Sequence, residues 1–187
     1  MRLLYLIRHA SPAIQPNLPA TEWKLSDRGV EEARVLGELA ASWHVRALYS
    51  SAEAKAEATA LLISEAVGQP VRVVDGFEEL RFDHWIGNSE EFADAVRQII
   101  EHPELSFRGA ERAQAAAARF GRGVAIVQQG EFPAAIVTHG RVLTAWLADR
   151  LALEDPWALW RSMPMPGWSC LDLDAASPTL LRGFDAT

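Results

Sequence analysis

A single cysteine, Cys170, among 187 residues rules out an internal disulfide and a thiolate cluster for zinc, and it suits a reducing cytoplasm. No apolar stretch reaches the length of a membrane span. The N-terminal residues also lack the charged region, long apolar region and small-residue cleavage site of a secretory leader. A cytoplasmic protein with no membrane partner is therefore expected. Basic residues are scarce: 18 Lys and Arg stand against 25 Asp and Glu, giving a net charge of −7 and a pI near 5.2. With no basic stripe to displace phosphate counterions, nucleic acid is not an expected partner. There is no Pro/Gly/Ser-rich linker, internal repeat or low-complexity segment, so residues 1–187 read as one domain. A hydrophobic fraction of 49% with 23% charged residues is that of an ordinary globule with a substantial core.

The chemistry that is present gathers at strand ends. Leu3-Leu4-Tyr5-Leu6-Ile7 is apolar without alternation, the pattern of a strand covered on both faces at the centre of a sheet, and it stops on Arg8-His9-Ala10. A guanidinium and an imidazole at the carboxyl end of such a strand lie where open α/β sheets hold ligands, and they suit an anion. A second run of this kind, Ala134 to Thr138, stops on His139-Gly140. Two strands of one sheet can thus deliver His9 and His139 to one crevice. A helix is expected from about Arg141 to Leu151, so the unpaired amides of Gly140 and Arg141 should attract phosphate oxygens.

Between these strands, a loop containing Pro12, Pro16 and Pro19 leads to a helix capped by Ser26 or Asp27, with Val30, Ala33, Leu36, Leu39 and Ala40 at helical spacing. A strand over 45–49 ends on Ser50-Ser51, and an Ala/Leu/Glu-rich helix over 53–67 carries Lys55 in its first turn. Lysine is unfavourable against a helix N-terminus unless an anion lies there too. A short strand over 70–74 precedes the aromatic and acidic segment from Gly76 to Gly87, read as a packed loop that presents Glu79 or Glu78, with His84 peripheral. Helices are expected over 89–101 and 110–128, and a hairpin over 168–184. Trp157, Trp160 and Trp168 are expected to cap the core.

Taken in order, these stretches resemble the histidine phosphatase superfamily, also called the phosphoglycerate-mutase-like family, from Leu3 to about Leu151. Leu6-Ile7-Arg8-His9-Ala10 is similar to its Arg-His-Gly signature. Leu25-Ser26-Asp27-Arg28-Gly29 with Glu32-Ala33 is similar to its next helix start, and Tyr49-Ser50-Ser51 through Thr59-Ala60 to its Ser-Ser-Pro-Leu-x-Arg block. Glu79 matches the carboxylate of its Leu-x-Glu segment, with the following Trp and Gly on Trp85 and Gly87. Val137-Thr138-His139-Gly140 resembles the second-histidine motif.

The resemblance implies an α/β three-layer sandwich, a mainly parallel sheet flanked by helices. It also implies a phosphomonoesterase that takes a small phosphorylated molecule and needs no metal or organic cofactor. His9 would be the nucleophile, Arg8, Lys55 and Gly140 would bind the phosphate, and His139 would add positive charge if protonated. Glu79 would donate a proton to the leaving group, helped by a pKa that phosphate raises. A mutase would use the same groups. An impaired member that only binds a phospho-ligand is the reading of a different class. Its support is a departure: where the family block has Pro-Leu-x-Arg, this chain has Ala52-Glu53-Ala54-Lys55, which keeps the charge and loses the bidentate fork. Arg81, Arg108 and Arg141 are candidates for a replacement fork.

Overall fold

Leu3–Arg8 forms β1 in the computed structural model, which describes residues 1–82, 86–175 and 179–186. Leu4, Leu6 and Ile7 are wholly buried because β1 is an inner strand with helices on both sides. It pairs in parallel with β4 (Ala134–Thr138) and antiparallel with β5 (Gly167–Asp172). With β2 (Ala47–Ser50), β3 (Val71–Val73) and β6 (Thr179–Asp185), the sheet order is β3-β2-β4-β1-β5-β6, and its first four strands are parallel. Strand pleating divides the core in two. Tyr5, Ile7, Leu48 and Val137 face one side, under α1 (Asp27–Ala41) and α2 (Ala54–Val67). Leu4, Leu6 and Ile136 face the other, under α4 (Ala113–Val127) and α5 (Gly140–Leu151), with α3 (Ser89–Glu101) beyond them. This is the three-layer, mainly parallel α/β sandwich that the resemblance implied. No helix among the described residues is long and apolar enough to cross a membrane.

Most expected elements form within a few residues of where the pattern put them, and the exceptions have local causes. Ser26, rather than Asp27, is the cap of α1: its hydroxyl accepts the Gly29 amide at 3.0 Å and donates to the Ser11 carbonyl, also at 3.0 Å. A Cβ on Gly29 would sit 2.0 Å from that carbonyl, so glycine is what lets the loop after His9 lie against the start of α1. Helix α4 begins at Ala113 instead of Ala110 because Arg108 and Gly109 take positive φ angles of 49° and 77°, and the chain is still turning there. A short helix, α6 (Pro156–Ser162), was not anticipated. Asp155 accepts the Ala158 amide at 2.8 Å and Pro156 opens the first turn, a cap and a helix-starting proline that were present in the sequence. Trp168 does close the core, against Trp43 and Tyr5. Trp157 and Trp160 instead stack on one another, half-buried, on α6. The β5–β6 hairpin forms as expected. Its joining residues Ala176, Ser177 and Pro178, together with His84 and Trp85, lie outside the described residues.

Replacing Ser26 by Ala removes the α1 cap and one tie to the loop. Unfolding in denaturant should show a loss of about 1 kcal/mol with an unchanged slope.

Candidate active site

The register of the sheet brings the histidines together. Arg8 lies opposite Thr138 on β4, and the His9 amide continues the ladder to the Thr138 carbonyl at 2.9 Å. On the other side of β4, Ser50 of β2 lies opposite Val137, and the Ser51 amide donates to the Val137 carbonyl at 3.0 Å. Three adjacent parallel strands therefore release His9, His139 and Ser51 side by side at one carboxyl edge. The imidazole centroids are 5.1 Å apart and meet edge to face at 62°. The crevice is narrow: His9 is 6% exposed and His139 is fully covered.

The protonation of His9 follows from its contact. Its Nδ1 lies 2.8 Å from the Ala10 carbonyl, which can only accept, so Nδ1 carries the proton and the Nε2 lone pair remains available. His139 Nε2 lies 2.9 Å from the Ser51 hydroxyl. Burial holds both imidazoles well below the usual histidine pKa. The next largest cause for His9 is the neighbouring His139, and for His139 the Lys55 ammonium. Both rings are neutral at pH 7.

Arg8 donates from Nη1 to the Met163 carbonyl at 2.7 Å, just past α6. A Cβ at Gly140 would stand 3.0 Å from Arg8 Nε, so the glycine expected to bind phosphate leaves room for this guanidinium. Among the described residues, buried side-chain atoms without a protein hydrogen bond include Arg8 Nε, His139 Nδ1 and Arg141 Nη1. These three belong to this cluster, where a ligand could satisfy them; Trp168 Nε1 and Ser169 Oγ, on β5, are also without a partner.

Glu79, rather than Glu78, enters the site. Its carboxylate accepts the amides of Leu80 at 2.8 Å, Val142 at 2.9 Å and Arg141 at 3.2 Å, and lies 3.2 Å from Arg141 Nε. The amides at the start of α5, from which phosphate binding was expected, thus hold an internal anion: those of Arg141 and Val142 go to Glu79. Burial would raise the Glu79 pKa, but Arg141, then His139 and the amides of Leu80 and Val142, prevail and hold it at about 2. Arg119 on α4 fixes the loop behind it. Arg119 Nη1 reaches the carbonyls of Gly76 and Glu78, each at 2.9 Å, and Nη2 reaches the Glu79 carbonyl at 3.2 Å and Glu111 at 2.8 Å. Thr138 adds a 2.6 Å bond to the Phe77 carbonyl. Nothing in the sequence singled out Arg119, because a lone arginine in an alanine-rich helix looks like solvated surface.

The other helix start repeats the pattern. Lys55 does lie beside the site, 5% exposed, but its ammonium is 2.6 Å from Glu53 and 2.7 Å from the Ala20 carbonyl. The anion that a lysine in this turn requires is supplied by the chain itself, from Glu53, the residue that precedes α2. The other Glu53 oxygen accepts the Glu79 amide at 2.7 Å and lies 3.8 Å from His139 Nε2. Glu53 was noticed in the sequence only as a charge out of place. Of the candidate forks, Arg141 is in the cluster, with its Cζ 5.8 Å from the centroid of Phe92. Arg81 is exposed and Arg108 pairs with Glu91 at 2.8 Å, both outside the cluster. No group of three or more His, Cys, Asp or Glu placed to hold a metal ion occurs among the described residues.

The histidine phosphatase superfamily (branch 1) model matches residues 4–185. A search of curated proteins finds no match. Among solved structures, the chain resembles a protein titled mycobacterial hydrolase 1 with a TM-score of 0.83 at 23% identity, covering 100% of this chain and 99% of that one. It also resembles mycobacterial glucosyl-3-phosphoglycerate phosphatase in complex with VO3, with a TM-score of 0.81 at 24% identity over 97% and 98% of the two chains. A putative phosphohistidine phosphatase of Agrobacterium tumefaciens aligns over 100% and 98%, with a TM-score of 0.65 at 20% identity. At these identities the likeness is one of fold.

A carboxylate held near pKa 2 contributes stability that is complete above its ordinary value of 4.5 and is lost as pH falls from there towards 2. The contribution is on the order of 3 kcal/mol at neutral pH. Denaturant titrations should find Glu79→Gln less stable than the parent at pH 7, with the gap narrowing as pH falls below about 4.

Proposed function

The chain belongs to the histidine phosphatase superfamily (branch 1), and from that premise we propose that it is a phosphomonoesterase working through a phosphohistidine on His9. The observation that carries the reading is the His9 tautomer: Nδ1–H is committed to the Ala10 carbonyl, which leaves the Nε2 lone pair free on a ring whose centroid is 5.1 Å from that of His139. In the first step His9 Nε2 forms a bond to phosphorus as the ester P–O bond breaks, and the leaving oxygen takes a proton. In the second, water attacks the phosphohistidine, giving up a proton as the P–N bond breaks and inorganic phosphate departs. Arg8 and Arg141 supply planar forks for the equatorial oxygens, and Gly140 keeps the Arg8 fork clear of the backbone.

Charge balance gives Glu79 its proton. With both imidazoles neutral, Arg8, Lys55 and Arg141 oppose Glu53 and Glu79, leaving one net positive charge in a buried space. A phosphate dianion overshoots this by one negative charge, and protonating Glu79 restores neutrality. The resting pKa near 2 therefore rises on binding, and the acid forms when substrate is present. Mycobacterial glucosyl-3-phosphoglycerate phosphatase, whose fold this chain resembles, supports a small phosphorylated metabolite as the substrate class. A second reading, a member that binds a phospho-ligand without turnover, draws on the closed Glu53–Lys55 pair.

Wild-type protein should hydrolyse p-nitrophenyl phosphate, and His9→Ala should abolish turnover; equal rates would reject the nucleophile. Because burial depresses the pKa of His9, the acidic limb of kcat/KM should lie below the ordinary histidine range. Glu79→Gln should slow alkyl esters by about 100-fold or more while sparing the aryl ester, whose leaving group needs no proton. Phosphate bound in calorimetry, with no phosphohistidine trapped at high protein concentration, would favour the second reading. Calorimetry in buffers of differing ionisation enthalpy should show uptake approaching one proton per phosphate above about pH 8, where free phosphate is the dianion, and none in Glu79→Gln.

A further inference from the structure

The position that the family block gives to a phosphate-binding arginine is filled here by a lysine with other obligations. Lys55 Nζ is 2.6 Å from Glu53 Oε2 and 2.7 Å from the Ala20 carbonyl, and both side chains of the pair are about 5% exposed. Ala20 lies in the short 3-10 turn of the loop that follows His9. The second Glu53 oxygen holds the Glu79 amide at 2.7 Å, and Thr59, one turn on from Lys55, accepts the Ala10 amide at 3.1 Å while donating to the Lys55 carbonyl at 2.7 Å. The first turns of α2 are thereby bonded to the loop after His9, to the residue after the nucleophile and to the backbone of the proposed acid.

Turning Lys55 towards a phosphate would strip Glu53 of its counter-ion in a buried place and set that carboxylate against a dianion. Both changes are strongly unfavourable, whereas keeping the pair intact costs nothing during turnover. We propose that Glu53 and Lys55 act as a fixed strut that positions the site without binding phosphate. Glu53 sets the height of Glu79 beside His139, Lys55 closes the 11–25 loop over the site through Ala20, and the second phosphate fork passes to Arg141. Arg141 has the means: its Nε is on Glu79 and its Nη1 is buried with no protein partner. The assignment of the fork to Arg141 rests on the phosphatase reading given above.

The test compares Lys55→Met, the double variant Glu53→Gln/Lys55→Met and Arg141→Met with wild type. Three readouts are taken: the calorimetric Kd of inorganic phosphate, amide hydrogen exchange of residues 11–25, and kcat and KM on p-nitrophenyl phosphate. Glu53→Gln/Lys55→Met, which removes both charges of the pair together, should leave the phosphate Kd within about threefold while loop exchange speeds by about tenfold or more and kcat falls by up to about 100-fold. Arg141→Met should weaken phosphate by about tenfold or more without opening the loop. Lys55→Met alone strands the Glu53 carboxylate and should bind phosphate more weakly than the double variant, which leaves no unpaired buried charge and so carries the affinity comparison. A tenfold or greater loss of phosphate affinity in the double variant, with loop exchange unchanged, would overturn the strut and return Lys55 to the phosphate. If no ester is hydrolysed by wild type, the catalytic reading fails on its own, and the exchange and affinity measurements still decide the role of the pair.

Discussion

Two internal carboxylates, each at the start of a helix, govern how this site is built. Parallel strands followed directly by helices deliver unpaired amides and positive dipole ends to one edge of the sheet, and such ends demand negative charge. In this chain Glu79 meets that demand on α5, where the Arg141 and Val142 amides close on it, while Glu53 stands at the start of α2 and bonds the Lys55 ammonium and the Glu79 amide. The cations then arrange themselves around those anions: Lys55 on Glu53, Arg141 on Glu79, with Arg8 left to the Met163 carbonyl. The two imidazoles, crowded by burial and by these cations, stay neutral. A neutral imidazole is a competent nucleophile, so on the proposed phosphatase reading the same field would make an acid of Glu79 only when phosphate arrives and keep His9 ready beforehand.

Such a site needs stiffness behind it, because buried charges that could drift apart would each face a desolvation cost. Arg119 provides it on one side by binding the carbonyls of Gly76, Glu78 and Glu79 and the Glu111 carboxylate from a single guanidinium. The irregular 76–81 segment has no ladder of its own to satisfy these carbonyls, and a planar fork with several donors is suited to replacing one. On the other side the close contact of Gly29 with the Ser11 carbonyl and the Ser26 cap hold the start of the loop after His9.

Much of this was legible in the sequence where a single periodic rule governs. The unalternated run of β1 and β4, each ending on a histidine, placed the two rings on neighbouring strand ends, and the helical spacing from Val30 to Ala40 placed α1. Other features depend on which partner a polar group chooses, and a linear pattern does not carry that choice. The amides of α5 attract anions in general, and only the folded path of residues 76–81 shows that the anion present is Glu79. The Asp155-Pro156 start of α6 was readable but short, and the aromatic residues beside it drew attention to packing instead. Arg119 had no local signature, since the carbonyls it binds lie some forty residues earlier in the chain.

The exchange of Arg for Lys at position 55 is best understood together with Glu53. A buried lysine with no anion would be pushed towards its neutral form, and a buried glutamate with no cation would do the same in reverse, each at a cost of several kcal/mol. Neither residue is tolerable without the other, and at 2.6 Å they satisfy one another while their remaining valences reach Ala20 and Glu79. What reads in the sequence as two eroded motif positions is, in three dimensions, one coupled pair. Its spacing of two residues across the start of α2 is what lets the carboxylate and the ammonium meet, Glu53 extended before the helix and Lys55 inside its first turn. A site that had simply lost its arginine would leave an open polar gap there, and instead the position is closed, bonded and tied to the loop that follows His9.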